Sequence, residues 1–218
     1  MIHTLEADSI TLEFGPRLIL SDIHIQCRTG EITGLLGRNG QGKTCLMRIL
    51  FGDLEAAGRS VRFNNIPVLR AYKHPELLTY LPQFNFIPES LTLQRIFSDF
   101  GLEFEELEQR FPQFRVRQKS RIGDLSGGER RLISIYLIIR SRSRFTLLDE
   151  LFSHLMPIQI DKIKELLQEE RANKGFLITD HLYRHITDIS DKFYILSGGR
   201  THLVKETEDI EKLGYARL

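Results

Sequence analysis

The stretch GRNGQGKT, Gly37 to Thr44, decides the fold, because it fits the pattern G-x-x-x-x-G-K-[S/T] of a loop that binds phosphates. It lies between EITGLLG, which indicates a buried strand, and KTCLMRILF, which indicates a helix. Glycines let such a loop wrap closely, so that backbone N–H groups and the helix N-terminus point at phosphate oxygens. The expected nucleotide contacts are the loop and the residue after it: Gly37, Arg38, Asn39, Gly40, Gln41, Gly42, Lys43, Thr44 and Cys45.

Two residues at the end of the loop carry the chemistry. Lys43 is expected to reach the β- and γ-phosphates, and the Thr44 hydroxyl is expected to bind Mg²⁺. A glycine-rich turn before an ordinary helix is the alternative, and the strand–loop–helix context disfavours it.

A pair of carboxylates follows a second apolar run. In TLLDELFSHLM, Thr146 to Met156, Asp149 and Glu150 come directly after two leucines. Alone, this pattern fits equally well a strand that ends in a solvated turn and a pair of carboxylates placed to meet a positive ion. Beside a phosphate loop it predicts that Asp149 belongs to the Mg²⁺ shell and that Glu150 acts on the attacking water, since adjacent residues at a strand end point in different directions.

The composition fits a single globular domain with a sizeable core. The chain has 218 residues, of which 41% are hydrophobic and 27% are charged. A formal net charge of +1 gives no bulk electrostatic reason for nucleic acid, and no such partner is expected. The two cysteines suit a reducing cytosol. The longest apolar run, Leu132 to Ile139, is far shorter than the roughly 20 residues of a membrane span, so a partner would have to provide any span.

The order of the elements predicts an α/β fold. Strand patterns, SITLEF and DIHIQC, flank a Gly15-Pro16 turn, helical patterns run from Leu91 to Ile139, and strand patterns return in RFTLLD, KGFLIT and DKFYIL. We therefore expect a P-loop NTPase fold: a mixed or parallel sheet core, an antiparallel β N-terminal part and an inserted helical subdomain. The prediction is one domain over residues 1–218, with the α/β core at about 1–83 and 142–218 and the helical lobe at about 84–141.

A second glycine motif, LSGGERR, begins at Leu125 and opens the long apolar helix. Ser126 and Glu129 have the spacing of a capping box, which requires no further function. Two glycines between them, Gly127 and Gly128, each cost about 1 kcal/mol of helix propensity, so a close approach of an anion to the backbone explains them better.

LSGGE resembles the signature of the ATP-binding cassette (ABC) ATPases, and its distance from Asp149 is similar to the family's. The resemblance runs from Phe14 to His181 and implies ATP and Mg²⁺ as ligands. It implies that Phe14 stacks on adenine, that Gln83 reaches Mg²⁺ and the attacking water, and that His181 contacts the γ-phosphate.

The resemblance also implies a head-to-tail dimer that holds two ATP molecules between its subunits, with a second ATPase subunit that is the same or a different chain. Ser126, Gly127, Gly128 and Glu129 would then serve the partner's nucleotide. The chain departs from the family's pattern where Leu151 replaces a proline and Met156 replaces an aspartate. In the family that aspartate helps to couple the two sites, so its loss concerns cooperativity and not ATP binding.

Two functions fit these motifs. In the first, the chain is the ATP-hydrolysing subunit of a transporter, peripheral on the cytoplasmic face of the cell membrane, and docks on separate membrane-spanning subunits. Phe84, Phe86 and Ile87, just after Gln83, are then expected to form an apolar docking surface, or alternatively to pack inside the helical lobe. In the second, the chain drives a soluble assembly machine, for example for iron–sulfur clusters.

Overall fold

The structure, a computed structural model, describes residues 2–204. This part of the chain contains ten strands and six α-helices. The strands are β1 (Thr4–Phe14), β2 (Arg17–Arg28), β3 (Ile32–Leu36), β4 (Gly58–Phe63), β5 (Ile66–Pro67), β6 (Leu78–Leu81), β7 (Phe145–Leu148), β8 (Gly175–Ile178), β9 (Lys192–Ser197) and β10 (Arg200–Val204). The helices are α1 (Lys43–Phe51), α2 (Leu93–Phe100), α3 (Phe104–Arg110), α4 (Gly127–Arg140), α5 (Pro157–Glu170) and α6 (Tyr183–Ile189).

The strands form one sheet in the order β5-β4-β1-β2-β10-β9-β3-β8-β7-β6. The N-terminal strands β1, β2, β4 and β5 pair antiparallel with one another, whereas β9, β3, β8, β7 and β6 form a run of parallel pairs in the core. Strand β10 joins the two parts, since it pairs parallel with β2 and antiparallel with β9. This confirms the predicted fold class, including the antiparallel N-terminal part.

The first hairpin is longer than the sequence patterns indicated. Its turn lies at Gly15, which has a φ of 58°, as the Gly-Pro pair predicts. The strands extend well beyond SITLEF and DIHIQC, and β1 contains register shifts around Ser9, whose φ is 54°. These irregularities interrupt the alternation of buried and exposed residues, which is why the sequence revealed only part of each strand.

Between β6 and β7 the chain is helical and adds no strand to the sheet. Helix α4 is buried along most of its length, from Arg131 to Ile139, and shares one hydrophobic cluster with the parallel strands. The position of the lobe boundaries stays a prediction, and residues 205–218 of the predicted domain lie outside the described residues.

The parallel strands determine where the site forms. Because β3, β6, β7 and β8 point in the same direction, their carboxyl ends meet at one edge of the sheet. Gly37 follows β3, Gln83 follows β6, Asp149 follows β7 and His181 follows β8. Residues far apart in the sequence thus reach one side of the molecule.

Candidate functional site

A cavity of about 500 Å³ lies at this edge of the sheet. Its lining contains ten of the predicted residues: Phe14, Asn39, Gly40, Gly42, Lys43, Thr44, Cys45, Gln83, Glu150 and His181. Arg17 and Ile19 also line it and were missed, although their place directly after the Phe14 turn could have indicated them. Phe14 is 52% exposed, so a ring face is open to a ligand. The cavity has the size of a small-molecule site.

The phosphate loop has a backbone that only glycine tolerates at its last turn. Gly42, the N-cap of α1, has a φ of 98°, and a Cβ there would lie 2.9 Å from Ile19. No side chain caps this end of α1. The first backbone N–H groups of α1 therefore have no side-chain acceptor, and the residues that carry them line the cavity. Free N–H groups at a helix N-terminus are what an anion site requires.

Lys43 lies within the loop, with only 7% of its surface exposed. Its Nζ donates hydrogen bonds to the carbonyl oxygens of Gly37 at 2.6 Å and Arg38 at 3.3 Å. Burial lowers the pKa of its ammonium group, and the carboxylates of Asp149 and Glu150 oppose that shift. The side chain is held where phosphate oxygens would meet it.

Asp149 is fully buried at the end of β7. Tyr80 donates a hydrogen bond from its hydroxyl to Asp149 Oδ2 at 3.2 Å, whereas Oδ1 is buried with no hydrogen-bond partner. Burial raises the pKa of this carboxyl group, and interactions with Thr44 and Tyr80 partly offset the shift. A buried carboxylate oxygen without a donor, beside the Thr44 hydroxyl, fits the oxygen ligands that Mg²⁺ prefers.

Gln83, Glu150 and His181 form one hydrogen-bonded cluster. The Gln83 amide donates to Thr44 Oγ1 at 2.8 Å and to Glu150 Oε1 at 2.9 Å. His181 Nε2 lies 2.7 Å from the same Glu150 oxygen. Glu150 has a φ of 50°, which is uncommon for a residue with a side chain and marks a constrained position. The cluster therefore holds a carboxylate at the mouth of the cavity in a fixed orientation.

Two buried residues that support this cluster were missed by the sequence analysis. Arg131, in the first turns of α4, donates hydrogen bonds to the carbonyl oxygens of Pro82, Asp149 and Glu150 at 2.6, 2.7 and 2.8 Å. Asp180 accepts from the backbone N–H groups of Phe152 and Leu182, and so joins the segment after Glu150 to the segment around His181. Neither contact has a local sequence signal, because each joins segments far apart in the chain.

The predicted signature residues lie apart from the cavity. Ser126 is exposed at the N-cap of α4, and its hydroxyl and backbone N–H both donate to Glu129 Oε2. This is the capping box expected from the sequence. Arg117 pairs with the other oxygen of Glu129.

The two signature glycines differ. A Cβ on Gly127 would meet nothing within 4 Å, whereas one on Gly128 would lie 3.2 Å from the carbonyl oxygen of His154. Gly128 thus gives room to the segment after the carboxylate pair, a reason that the sequence analysis did not foresee.

The sequence departs from the resembled pattern at Leu151 and Met156, and at Leu151 the replacement adds a backbone hydrogen bond. The Leu151 backbone N–H donates to the Thr179 carbonyl oxygen at 3.1 Å, a hydrogen bond that proline could not make. Met156 is the N-cap of α5 and is 58% exposed.

The model of the family described as ABC transporter matches residues 20–153. The chain belongs to this ABC transporter family. It is 31% identical to the lipopolysaccharide export system ATP-binding protein LptB of Acidithiobacillus ferridurans, over 96% of this chain and 93% of that protein. It is 26% identical to the high-affinity branched-chain amino acid transport ATP-binding protein BraG of Pseudomonas aeruginosa, over 90% of each.

Solved structures of ABC proteins share the fold. The ATP-binding subunit of an ABC transporter is 25% identical, with a TM-score of 0.78, and the match covers 97% of this chain and 93% of that one. A bacterial Atm1-family ABC exporter with ATP bound is 16% identical, with a TM-score of 0.84 over 97% of this chain and 40% of the exporter. The first supports the family and the second the fold. The chain is an ATP-binding protein of the ABC transporter type.

Proposed function

We propose that this chain hydrolyses ATP to ADP and phosphate, and that the reaction drives transport through separate membrane-spanning subunits. The observation that carries the proposal is the convergence of six side chains at one sheet edge: Lys43, Thr44, Gln83, Asp149, Glu150 and His181. Simple phosphate binding needs the loop alone, whereas this cluster adds a carboxylate held for proton transfer.

Each residue has a task in this reaction. Phe14 stacks on the adenine, and the N-terminus of α1 and Lys43 bind the phosphates. Thr44, Gln83 and Asp149 would hold Mg²⁺, which when bound neutralises charge on the phosphate oxygens.

The catalytic cluster would then act on water. Glu150 accepts the proton of the attacking water, Gln83 orients the water, and His181 contacts the γ-phosphate. Gln83 and His181 both contact Glu150 in this structure. When the nucleotide binds, each would exchange its contact with Glu150 for a contact with the water or the γ-phosphate.

The signature residues complete the site of a second subunit in this account. Ser126 and Gly127 are exposed, at the N-terminus of a 14-residue helix, and lie outside their own chain's cavity. A second subunit bound head to tail would place its γ-phosphate there, so that ATP joins the two chains by hydrogen bonds from both.

A groove beside Gln83 is the proposed docking place for a membrane-spanning partner. It has a volume of about 540 Å³ and is lined by Thr44, Arg48, Phe51, Asp53, Tyr80, Pro82, Gln83, Phe84 and Phe86. The segment after Gln83 is divided between the surface and the core: Phe84 is 70% exposed and available for docking, whereas Ile87 is buried in the core. An apolar wall with a charged rim suits an amphipathic helix of the partner.

Attachment to such a partner would place the chain at the cytoplasmic face of the cell membrane. None of the helices within residues 2–204 is both long enough and apolar enough to cross a membrane. The named relatives are ATP-binding proteins of export and uptake systems.

The enzymatic part is tested by phosphate release from ATP with Mg²⁺. The unaltered chain should turn over, and Glu150→Gln should lower the rate about 100-fold or more, since a general base contributes roughly 10²–10⁴-fold. Binding of ATP by this variant should persist, because Glu150 is not a phosphate ligand. Undiminished turnover would refute the role of Glu150.

The transport part is tested by the proteins that co-purify after gentle solubilisation of cells. A multi-span membrane protein is the expected companion, and it should be lost when the groove variant Phe84→Glu replaces the native chain. Soluble partners alone would favour the alternative, an ATPase of a soluble assembly machine.

A further inference from the structure

Tyr80 connects two sites that are otherwise separate. Its ring lines the groove beside Gln83, where it lies 5.3 Å from the Phe51 ring at an interplanar angle of 48°. Its hydroxyl reaches out of the groove to donate to Asp149 Oδ2 at 3.2 Å. One rigid side chain therefore touches both the proposed docking surface and the carboxylate proposed for Mg²⁺.

The sheet fixes the base of this connection. Strands β6 and β7 are paired so that Tyr80 lies opposite Leu147 and Leu81 lies opposite Leu148. The Asp149 backbone N–H donates to the Leu81 carbonyl oxygen at 3.1 Å. Both the main chain and the side chain of Asp149 are thus held by β6, the main chain by the ladder and the side chain by Tyr80.

The hydroxyl contact is the adjustable part of the arrangement. Its 3.2 Å length exceeds the 2.5–3.0 Å usual for O–H···O hydrogen bonds, so a small movement of the ring strengthens or breaks it. The other oxygen of Asp149 is buried without a hydrogen-bond partner, so the orientation of this carboxylate depends on the Tyr80 hydroxyl together with the interactions of Thr44 and Gln83. The ring is only partly buried, and Phe51 at the end of α1 packs against it from the groove side.

We propose that Tyr80 is a positioning residue that couples the occupancy of the groove to the Mg²⁺ affinity of Asp149. This inference rests on the proposed function of the cavity. A helix that packs on the Phe51 and Tyr80 rings moves the hydroxyl, and the hydroxyl turns the carboxylate. Groups that orient a metal ligand typically change metal affinity 10–100-fold when they are removed.

The experiment measures the Mg²⁺ concentration that gives half-maximal ATP binding, in a Glu150→Gln background that prevents hydrolysis. Tyr80→Phe keeps the ring and removes the hydroxyl, and it should raise this midpoint about tenfold. Binding of ATP in EDTA, which depends on the loop and Lys43, should not change. Tyr72→Phe is the matched control: its ring also lies beside Phe51, at 6.2 Å, but Tyr72 lines neither the groove nor the cavity, so its midpoint should equal that of the background.

The coupling is tested from the groove side without a partner. Phe51→Leu loosens the ring contact and should shift the Mg²⁺ midpoint about threefold when Tyr80 is present. In the Tyr80→Phe background the same change should have no further effect, because the hydroxyl that transmits it is gone.

Three results would overturn the inference. An unchanged Mg²⁺ midpoint for Tyr80→Phe would show that Tyr80 only packs and does not position Asp149. Equal shifts of the midpoint by Phe51→Leu with and without the Tyr80 hydroxyl would show that the hydroxyl does not transmit the change. If the background chain itself binds ATP without any Mg²⁺ dependence, the proposed function fails as well, and the inference fails with it. Thermal melting of each variant verifies that the chain is folded.

Discussion

The two regions proposed to bind phosphate differ in how complete they are. The region around Lys43 has its acid, amide, hydroxyl and imidazole groups hydrogen-bonded to one another within one cavity. The region around Ser126 is exposed, and its donors are satisfied by Glu129 of the same helix. The first region is assembled by the fold of one chain, whereas the second offers a helix end that needs a ligand from outside.

Arg131 is the direct link between the two regions, and its removal should have the largest effect. It belongs to the signature helix, yet it donates to the carbonyl groups of Pro82, Asp149 and Glu150. Arg131→Met keeps the apolar stem and leaves three acceptors without this donor, which should lower the free energy of unfolding by roughly 3 kcal/mol. Urea denaturation measures it. A loss below about 1 kcal/mol would mean that the regions are held together by packing alone.

The comparison is sharpest in a matched pair of substitutions. Lys43→Ala should weaken ATP binding by the single chain about 100-fold, because charge-assisted hydrogen bonds to phosphate are lost. Ser126→Ala should leave that binding unchanged, because Ser126 lies outside the cavity. Equilibrium binding at a concentration where the chain is monomeric distinguishes them, and equal losses would contradict the division.

The segment that runs between the regions is tested by Leu151→Pro, which restores the residue of the resembled pattern. Here it removes the hydrogen bond to Thr179 and part of a fully buried side chain. We expect a loss of roughly 2 kcal/mol, visible as a lower melting temperature. A higher melting temperature for Leu151→Pro would show that the Leu151 hydrogen bond and side chain do not stabilise this chain.

The smallest effect concerns the signature region alone. Arg117 pairs with one oxygen of Glu129 and so offsets the negative charge of this carboxylate beside the helix end that is proposed to meet the phosphate of a second subunit. Arg117→Gln should raise the ATP concentration needed for dimerisation about fivefold, and adding Glu129→Gln should reverse the change. Light scattering measures both, and failure of the reversal would show that Arg117 acts in another way.

Local motifs predicted most of the first region and the capped helix N-terminus of the second. Within each motif – the phosphate loop, the carboxylate pair and the capping box – the residues lie only a few positions apart, so their spacing in the sequence is enough to identify the motif. The fold class followed from the order of strand and helix patterns, which the sheet confirmed.

The contacts that support the site could not be predicted in this way. Tyr80 and Asp149 are 69 residues apart, and only strand pairing brings them together. Arg131 lies near the start of an apolar helix, where a charged residue is expected to be exposed, but its side chain is buried. A Cβ at Gly128 would lie 3.2 Å from the carbonyl oxygen of His154, a close approach that no spacing in the sequence reveals.

The central proposal is that the signature of a second subunit completes the cavity, and complementation between two copies of this chain tests it most directly. Two Glu150→Gln chains, one with Lys43→Ala and one with Ser126→Arg, are mixed with ATP and Mg²⁺. Each alone lacks an intact composite site and should remain monomeric, whereas the mixture has one intact site and should form dimers in sedimentation velocity. Monomers in the mixture, or dimers of either variant alone, would contradict the account.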